Sequence, residues 1–525
     1  MNAAIRRTAL FLGLAFLTLF VNLNYIQATR SEDLNNDPRN RRQIIREFGT
    51  RRGDILASDN TVLAHSIDSG DARYRYIREY PQKALFGHLT GYYSFFYGAS
   101  ALERSYDDVL QGREPARAGR FIDELLGREP AGNTIRLTVD PVLQGLARRA
   151  FHGQEGGAAV LDSRTGAILA LYGDPGFDPN PLSGTPSDQT RIQEAWSKIS
   201  SNPEQPLLSK AFAERYPPGS AFKVVVATAG MLSGMTPSTA LPDPSVLDLP
   251  QTDRVLPNWQ GGSCVGGSIS MSTALRVSCN TYFAQTAMRI GPKRLDGVAR
   301  RFGFGSGFDA GITVAPSCVV SIPGAGCANA RDLAPPFTAY SGIGQNSVGV
   351  TPLQMAIVTA AAENGGYRVD PFLVERIIDP TGETIAKSKA QRTRIMSKKV
   401  AKWLDEMMVG VVQYGTGSVV GFRDGSSGII GGKTGTAQTR EGEAPHVWFI
   451  AYGPGVSVAV VVEHGGELGN EATGGRVAGP IAKVLLEKAM ARLARAAQNP
   501  IPAPSDVPVP APSFPTATSS PTEAP

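Results

Sequence analysis

The chain has 525 residues, too many for one typical domain, and its 42% hydrophobic and 19% charged residues make a globular composition slightly poor in charge. A formal net charge of +5 is small for this length and is not gathered into a basic block, which argues against nucleic acid as a partner. The five histidines, His65, His88, His152, His446 and His464, are scattered without metal-ligand spacing, so neither a metal nor a cofactor is expected.

After Arg6 and Arg7 comes TALFLGLAFLTLFVNLNYI, Thr8 to Ile26, without a charged residue. As a helix it would span about 28 Å, close to the hydrocarbon thickness of a bilayer. A single transmembrane anchor is expected over residues 8–27. A cleaved signal peptide is the alternative, but no A-x-A-like site follows, and Asn22, Asn24 and Tyr25 form an interfacial margin. The two arginines would keep residues 1–7 in the cytoplasm. Everything after Arg30 then lies on the outer side of the cytoplasmic membrane.

Residues 28–140 are rich in Arg, Asp, Glu and aromatics, lack a sustained helical period and predict a first domain of short strands and loops. The next domain, expected over 141–492, opens on the amphipathic helix PVLQGLARRAF, Pro141 to Phe151, with Asp140 as its N-cap. Two β-rich runs follow, Ala158 to Asp162 and Ile168 to Tyr172, joined by a loop containing SRTG as in a hairpin. Two further strands are predicted near the end, at Val447 to Pro454 and Val456 to Gly465. Early strands, central helices and late strands predict one sheet assembled from both ends of a mixed α/β domain. Residues 493–525 are expected to be a proline-rich tail that cannot pack a core.

Cys264, Cys279, Cys318 and Cys327 suit an oxidising compartment. Four cysteines allow three pairings, among which sequence does not choose. The short loops favour Cys264 with Cys279 and Cys318 with Cys327.

Three short stretches could carry chemistry. In PPGSAFKVVVATAGML, from Pro217, two prolines and a glycine break the chain before an apolar helix, and Ser220 and Lys223 fall on one face of its first turn. A buried, neutral lysine can take the serine proton, and the helix N-terminus offers amides to an oxyanion. The plainer reading is an N-capping serine with a solvent-facing lysine. In STALRVSCNTYFAQTA, Ser278 and Asn280 project from what reads as an extended turn between two helices; a hydroxyl can relay a proton and a carboxamide can hold a substrate carbonyl. Either could simply cap the second helix.

The third stretch is SGIIGGKTGTAQ, Ser427 to Gln438. It is not a phosphate-binding loop: Ser427 stands where the first glycine belongs, Gly428 is one residue late, and no helical period follows Lys433. It reads as an edge strand able to bind an extended peptide, with Gly435 leaving room for another backbone and Lys433 and Thr436 meeting a carboxylate. An ordinary glycine-rich turn is the alternative.

Each stretch is weak alone, but the ordered set S-x-x-K, S-x-N, K-T-G resembles the penicillin-binding proteins and serine β-lactamases. RRGDILASDNTVLA, GASALERSYDDVLQG, TVDPVLQ, AAVLDSRTGAILAL, SGIGQNSVGVTPLQMA, GTGSVVGF and HVWFIAYGP extend the resemblance across most of residues 50–490. The chain resembles a class B penicillin-binding protein, a monofunctional peptidoglycan transpeptidase, closest to the penicillin-binding protein A type of actinobacteria. One departure is Cys279 in the middle of S-x-N; paired with Cys264, it would staple the loop beside the nucleophile.

The resemblance implies a penicillin-binding fold, a central antiparallel sheet flanked by helices, on a mostly-β or α+β pedestal with one transmembrane helix. It implies that Ser220 attacks the penultimate D-Ala of a D-Ala-D-Ala stem peptide, with Lys223 as base. Ser278 and Lys433 would pass the proton to the leaving amine, and Asn280 would orient the substrate amide. The Ser220 and Thr436 N–H groups would form the oxyanion hole, while Thr434, Gly435 and Thr436 line the carboxylate site. β-Lactams would acylate Ser220, and a SEDS-type lipid II polymerase would be the membrane partner. A glycosyltransferase domain does not fit in 28–140, and a β-lactamase or sensor leaves anchor and pedestal unexplained. A D,D-carboxypeptidase differs only in using water as acceptor, and a non-catalytic scaffold of a wall-synthesis complex would not need the intact trio.

Overall fold

The computed structural model describes residues 2–30, 45, 47–113, 131–259, 261–322, 326–422, 429–439 and 442–498. Helix α1, Asn2–Tyr25, starts before the two arginines. The segment Ile5–Thr29 is long and apolar enough to cross a membrane, and none of its apolar window is buried against the rest of the chain. Strands β1 (Ile55–Leu56), β2 (Val62–Asp68), β3 (Tyr76–Glu79) and β4 (Thr134–Leu137) follow. Helix α2 then spans Pro141–Phe151, where the Asp140 side chain accepts from the amides of Val142 and Leu143 as the N-cap pattern predicted.

Strands β5 (Gly156–Asp162) and β6 (Ile168–Asp174) form the expected hairpin. Next come α3 (Lys223–Leu232), the small hairpin β7 (Val246–Asp248) and β8 (Val255–Pro257), then α4 (Met271–Val277), α5 (Asn280–Ile290) and α6 (Pro352–Glu363). Strands β9 (Val374–Ile378) and β10 (Thr384–Lys387) precede α7 (Lys398–Tyr414). The domain closes with β11 (Gly431–Ala437), β12 (His446–Gly453), β13 (Val456–Val462) and α8 (Ala478–Gln498).

The central sheet is antiparallel in the order β11-β12-β13-β5-β6, so both ends of the domain do meet in one sheet. The central strand β13 is buried on both faces, which is why VSVAVVV is apolar but for Ser457 instead of alternating with polar residues. Val458 and Val460 face α2 and α8 in one core, while Ala459 and Val461 face α3 and α6 in the other. Each fully buried valine or leucine contributes about 1.5–3 kcal/mol. The strand β11 is an edge, as expected, and Lys433 lies in its middle rather than at a helix start.

Two boundaries differ from the sequence reading. The first domain's sheet has the order β10-β9-β4-β1-β2-β3, so two strands from residues 374–387 cross the boundary expected at 140. Val374 and Ile377 are buried there, and β9 pairs antiparallel with β4. Residues 493–498, expected in the tail, belong to α8, which carries on to Gln498 and seats Ile481, Leu485, Leu486 and Ala489 on the sheet. The rest of that tail, 499–525, lies outside the described residues, as do Ser427 and Gly428. Both expected cysteine pairs are present, Cys264–Cys279 with Cα atoms 5.9 Å apart and Cys318–Cys327 with 5.3 Å.

Candidate active site

The Pro217-Pro218-Gly219 break leads into a 3-10 turn, Gly219–Phe222, which runs on as α3 and puts Ser220 in the first turn. Gly219 has φ +52°, and a Cβ there would lie 2.4 Å from Thr436 O, so glycine alone lets this turn press against β11. Gly435 is the reciprocal contact: a Cβ would lie 2.7 Å from Pro218 O. The backbone for which Gly435 leaves room on that side is therefore the chain's own. Trp448 Nε1 donates to Pro217 O at 3.0 Å, and Tyr216 pairs with Val350 through its backbone and with Glu463 through its hydroxyl at 2.6 Å. A Gly219→Ala variant is expected to lose about 2 kcal/mol or more, from left-handed strain plus the clash. Urea denaturation checks this, and unchanged stability would show that the turn is free to shift.

Lys223 and Lys433 are both fully buried, at 0% exposure, yet neither is paired with a carboxylate among the described residues. Lys223 Nζ, from α3, donates to Ser278 O at 2.6 Å and Asn280 Oδ1 at 2.7 Å, with Ser278 Oγ 3.4 Å away. Lys433 Nζ, from β11, donates to Ser278 Oγ and Thr434 O, each at 2.9 Å. One hydroxyl thus sits between two amines delivered by different elements. Burial, and then the Lys433 charge, push the Lys223 pKa well below its ordinary value, while burial alone brings Lys433 down to about 7. The first direction favours the neutral amine that the sequence reading asks of Lys223, and the second lets Lys433 exchange a proton near neutral pH.

Ser220 and Lys223, expected on one face of the first turn, are not hydrogen-bonded to each other in the structure. The Lys223 amine donates instead to the Ser278 carbonyl and the Asn280 amide oxygen. The turn carrying Ser278 is not extended either: Ser278 has φ 63° in the left-handed region, ending α4, while Cys279 N returns to Ala274 O at 2.8 Å. For a non-glycine residue that conformation costs about 1–2 kcal/mol. The Cys264–Cys279 disulfide ties this strained turn to the loop after β8.

The structure thus gathers Ser220, Lys223, Ser278, Asn280, Lys433 and Thr434, with Thr436 half-buried where the turn bearing Ser220 meets β11. Thr434 also shares a hydrogen bond with Thr416 at 2.7 Å, a partner that the sequence reading quoted only inside GTGSVVGF. Two more supports had no sequence signal. Asp243 accepts the amides of Cys264, Val265 and Gly266, and Asn258 accepts those of Asn280 and Thr281. Asp243, Cys264 and Cys279 stand close enough to suggest a metal-ligand set, but the disulfide leaves both sulfurs without the thiolate that a metal binds. The second disulfide anchors a hairpin held by Arg215, which stands just before the turn bearing Ser220 and donates to Pro316 O, Ile322 O and Gly326 O.

The model of the penicillin binding protein transpeptidase domain matches residues 156–487, and that of the penicillin binding protein A dimerisation domain matches 52–135. The chain is 34% identical to the peptidoglycan D,D-transpeptidase PbpA of Mycolicibacterium smegmatis over 507 residues, covering 93% of this chain and 99% of that one. It is 34% identical to the PbpA of Mycobacterium tuberculosis, with the same coverage. The structure of the M. tuberculosis penicillin-binding protein A as a ceftriaxone acyl-enzyme superposes with a TM-score of 0.77 at 33% identity, covering 84% of this chain and 99% of that one.

Proposed function

The chain belongs to the penicillin-binding protein transpeptidase family and is a peptidoglycan D,D-transpeptidase, and from that premise we propose how its residues divide the reaction. The observation that carries the assignment is the Ser278 hydroxyl held 2.9 Å from Lys433 Nζ and 3.4 Å from Lys223 Nζ beside the helix start that bears Ser220. Neutral Lys223 takes the proton as Ser220 Oγ forms its bond to the carbonyl carbon of the penultimate D-Ala. The backbone N–H groups of Ser220 and Thr436 face the developing oxyanion, a reading supported by the close seat of Gly219 on Thr436.

As the C–N bond breaks, Ser278 gives its proton to the leaving D-Ala amine and regains one from Lys433, and the proton that Lys223 took from Ser220 passes through Ser278 to Lys433, so both lysines return to their starting states. Thr434 and Thr436 hold the terminal carboxylate beside Gly435, and Asn280 orients the substrate amide. The amine of a neighbouring stem peptide then attacks the acyl-enzyme, forms the cross-link and returns the proton to Ser220. β-Lactams enter the first half of this sequence. Penicillin mixed with the protein should add its mass once, and the modified peptide should contain Ser220; modification elsewhere would overturn the assignment.

The α1 segment anchors the protein in the cytoplasmic membrane, and the body stands outside it. Arg6 and Arg7 at the inner margin support this topology, as do two disulfides that suit an oxidising compartment. The family resemblance supports a SEDS-type lipid II polymerase as the membrane partner, with residues 52–135 as pedestal.

A pH profile follows from the two lysines. The base must be neutral, so the second-order acylation constant rises as Lys223 loses its proton. The relay needs a proton on Lys433, so the constant falls as pH climbs through about 7. The result is a bell whose limbs belong to the coupled pair. A profile without the alkaline fall would remove Lys433 from the relay.

A further inference from the structure

Helix α5 begins beside the catalytic groups, and its N-cap residue Cys279 supplies no side-chain cap, its sulfur being tied to Cys264. The first amides of the helix are taken from outside. Asn258 Oδ1 accepts the N–H groups of Asn280 and Thr281, both at 3.0 Å. The same side chain donates from Nδ2 to Pro244 O at 3.2 Å and Gly262 O at 3.1 Å, so both limbs of the loop hang on one amide. Asn258 is 7% exposed. Asn280 Nδ2 in turn donates to Pro257 O at 3.1 Å, which aims Asn280 Oδ1 at Lys223 Nζ, 2.7 Å away.

We propose that Asn258 is a positioning residue for the transpeptidase reaction: by capping α5 from a neighbouring loop, it holds Asn280 in the orientation from which its amide oxygen meets Lys223. The proposal rests on the roles given above to Lys223 and Asn280. Only a carboxamide serves this place, because it accepts two N–H groups and donates to two carbonyls at once. A carboxylate keeps the first function and loses the second, and alanine loses both. Helix amides left uncapped beside the strained Ser278 turn would let Asn280 swing from Lys223. The charged groups facing this point are Lys223 from α3, Lys433 from β11 and Asp243 ahead of the β7–β8 hairpin. Asp243 Oδ1 lies, like Asn258 Oδ1, 3.5 Å from Cys279 Sγ.

The test uses the full chain in detergent with Asn258→Ala, Asn258→Asp and Ser220→Ala variants. The second-order penicillin acylation constant is followed from about pH 5 to 9, alongside the melting temperature. Asn258→Ala should lower the constant about tenfold. Its acid limb should move to lower pH, because the Lys223 ammonium loses an oriented acceptor. Asn258→Asp should move the limb the other way, because a nearby carboxylate favours the charged lysine. A cap with only a structural role would lower the melting temperature and leave the limb in place, and that result in a folded variant overturns the proposal. Should Asn258→Ala fail to fold, Asn258→Ser, whose hydroxyl cannot hold both helix amides and both limbs of the loop, decides by the same shift of the limb to lower pH, and a limb left in place overturns the proposal. Acylation persisting in Ser220→Ala would instead sink the reading of the nucleophile, which keeps the two failures apart.

Discussion

A Ser220→Ala variant is expected to form no covalent penicillin adduct and to cross-link stem peptides slower by about 10⁴-fold or more, while melting at the temperature of the unchanged protein. The fold should not notice the change. Ser220 is half-buried in a 3-10 turn whose position comes from Gly219 against β11 and from Trp448 on Pro217, contacts that do not involve its hydroxyl. The chemistry should notice it fully, because the other hydroxyls nearby are engaged: Ser278 Oγ with Lys433 and Thr434 Oγ1 with Thr416. Intact-mass measurement after incubation with penicillin reads the outcome directly. An adduct surviving on the variant at Ser278 would transfer the nucleophile's role to that residue and reverse the proposed order of proton transfer.

Lys223→Met should lower the second-order acylation constant by about 10²–10⁴-fold, the range associated with losing a positioned general base, and should raise stability at neutral pH. The two effects have one cause. Burial holds the folded Lys223 pKa well below 10.5, so folding disfavours the proton that the unfolded chain binds. Between the lowered value and 10.5 the unfolded state carries more protons, so this group's contribution to stability rises with pH and is most unfavourable below the folded value. Lys433 adds the same sign from about 7 upward. Methionine fills nearly the same volume without a charge to desolvate, so it removes that burden together with the activity. Denaturant titrations at about pH 6 and pH 9 should show the variant's advantage shrinking as pH rises. A variant no more stable than the parent at pH 6 would mean that the Ser278 and Asn280 contacts outweigh the desolvation of the lysine.

Local features of the sequence were read with little loss. Pro141 after Asp140 starts a helix because the carboxylate satisfies amides only two and three residues away. The β5–β6 and β12–β13 hairpins follow from apolar runs punctuated by Arg164-Thr165-Gly166 and by Pro454-Gly455, again within reach of their own turns. The short spacing of Cys264 from Cys279 and of Cys318 from Cys327 anticipated both disulfides, since a short loop keeps two cysteines near each other in any compact arrangement. The three motifs marked the residues that the fold brings together, although Ser278, Lys433 and Lys223 are far apart along the chain.

By itself the sequence determined the helix after Asp140, the two hairpins of the central sheet, which end of the chain is apolar enough for a membrane, and the three motifs that the fold brings together. Tertiary structure alone decided which acceptors Lys223 meets, that Ser278 sits in a left-handed turn, that β9 and β10 join the sheet of β1 to β4, and that Asn258 caps α5. The division has a physical reason. Helical period, capping and turn preferences are energies between residues a few positions apart, and they are written in neighbouring letters. A lysine's choice between a serine hydroxyl and a carbonyl, or a strand's choice of partner, is settled by packing that brings together distant segments. The single letters at positions 258, 374 and 377 carry no trace of that outcome.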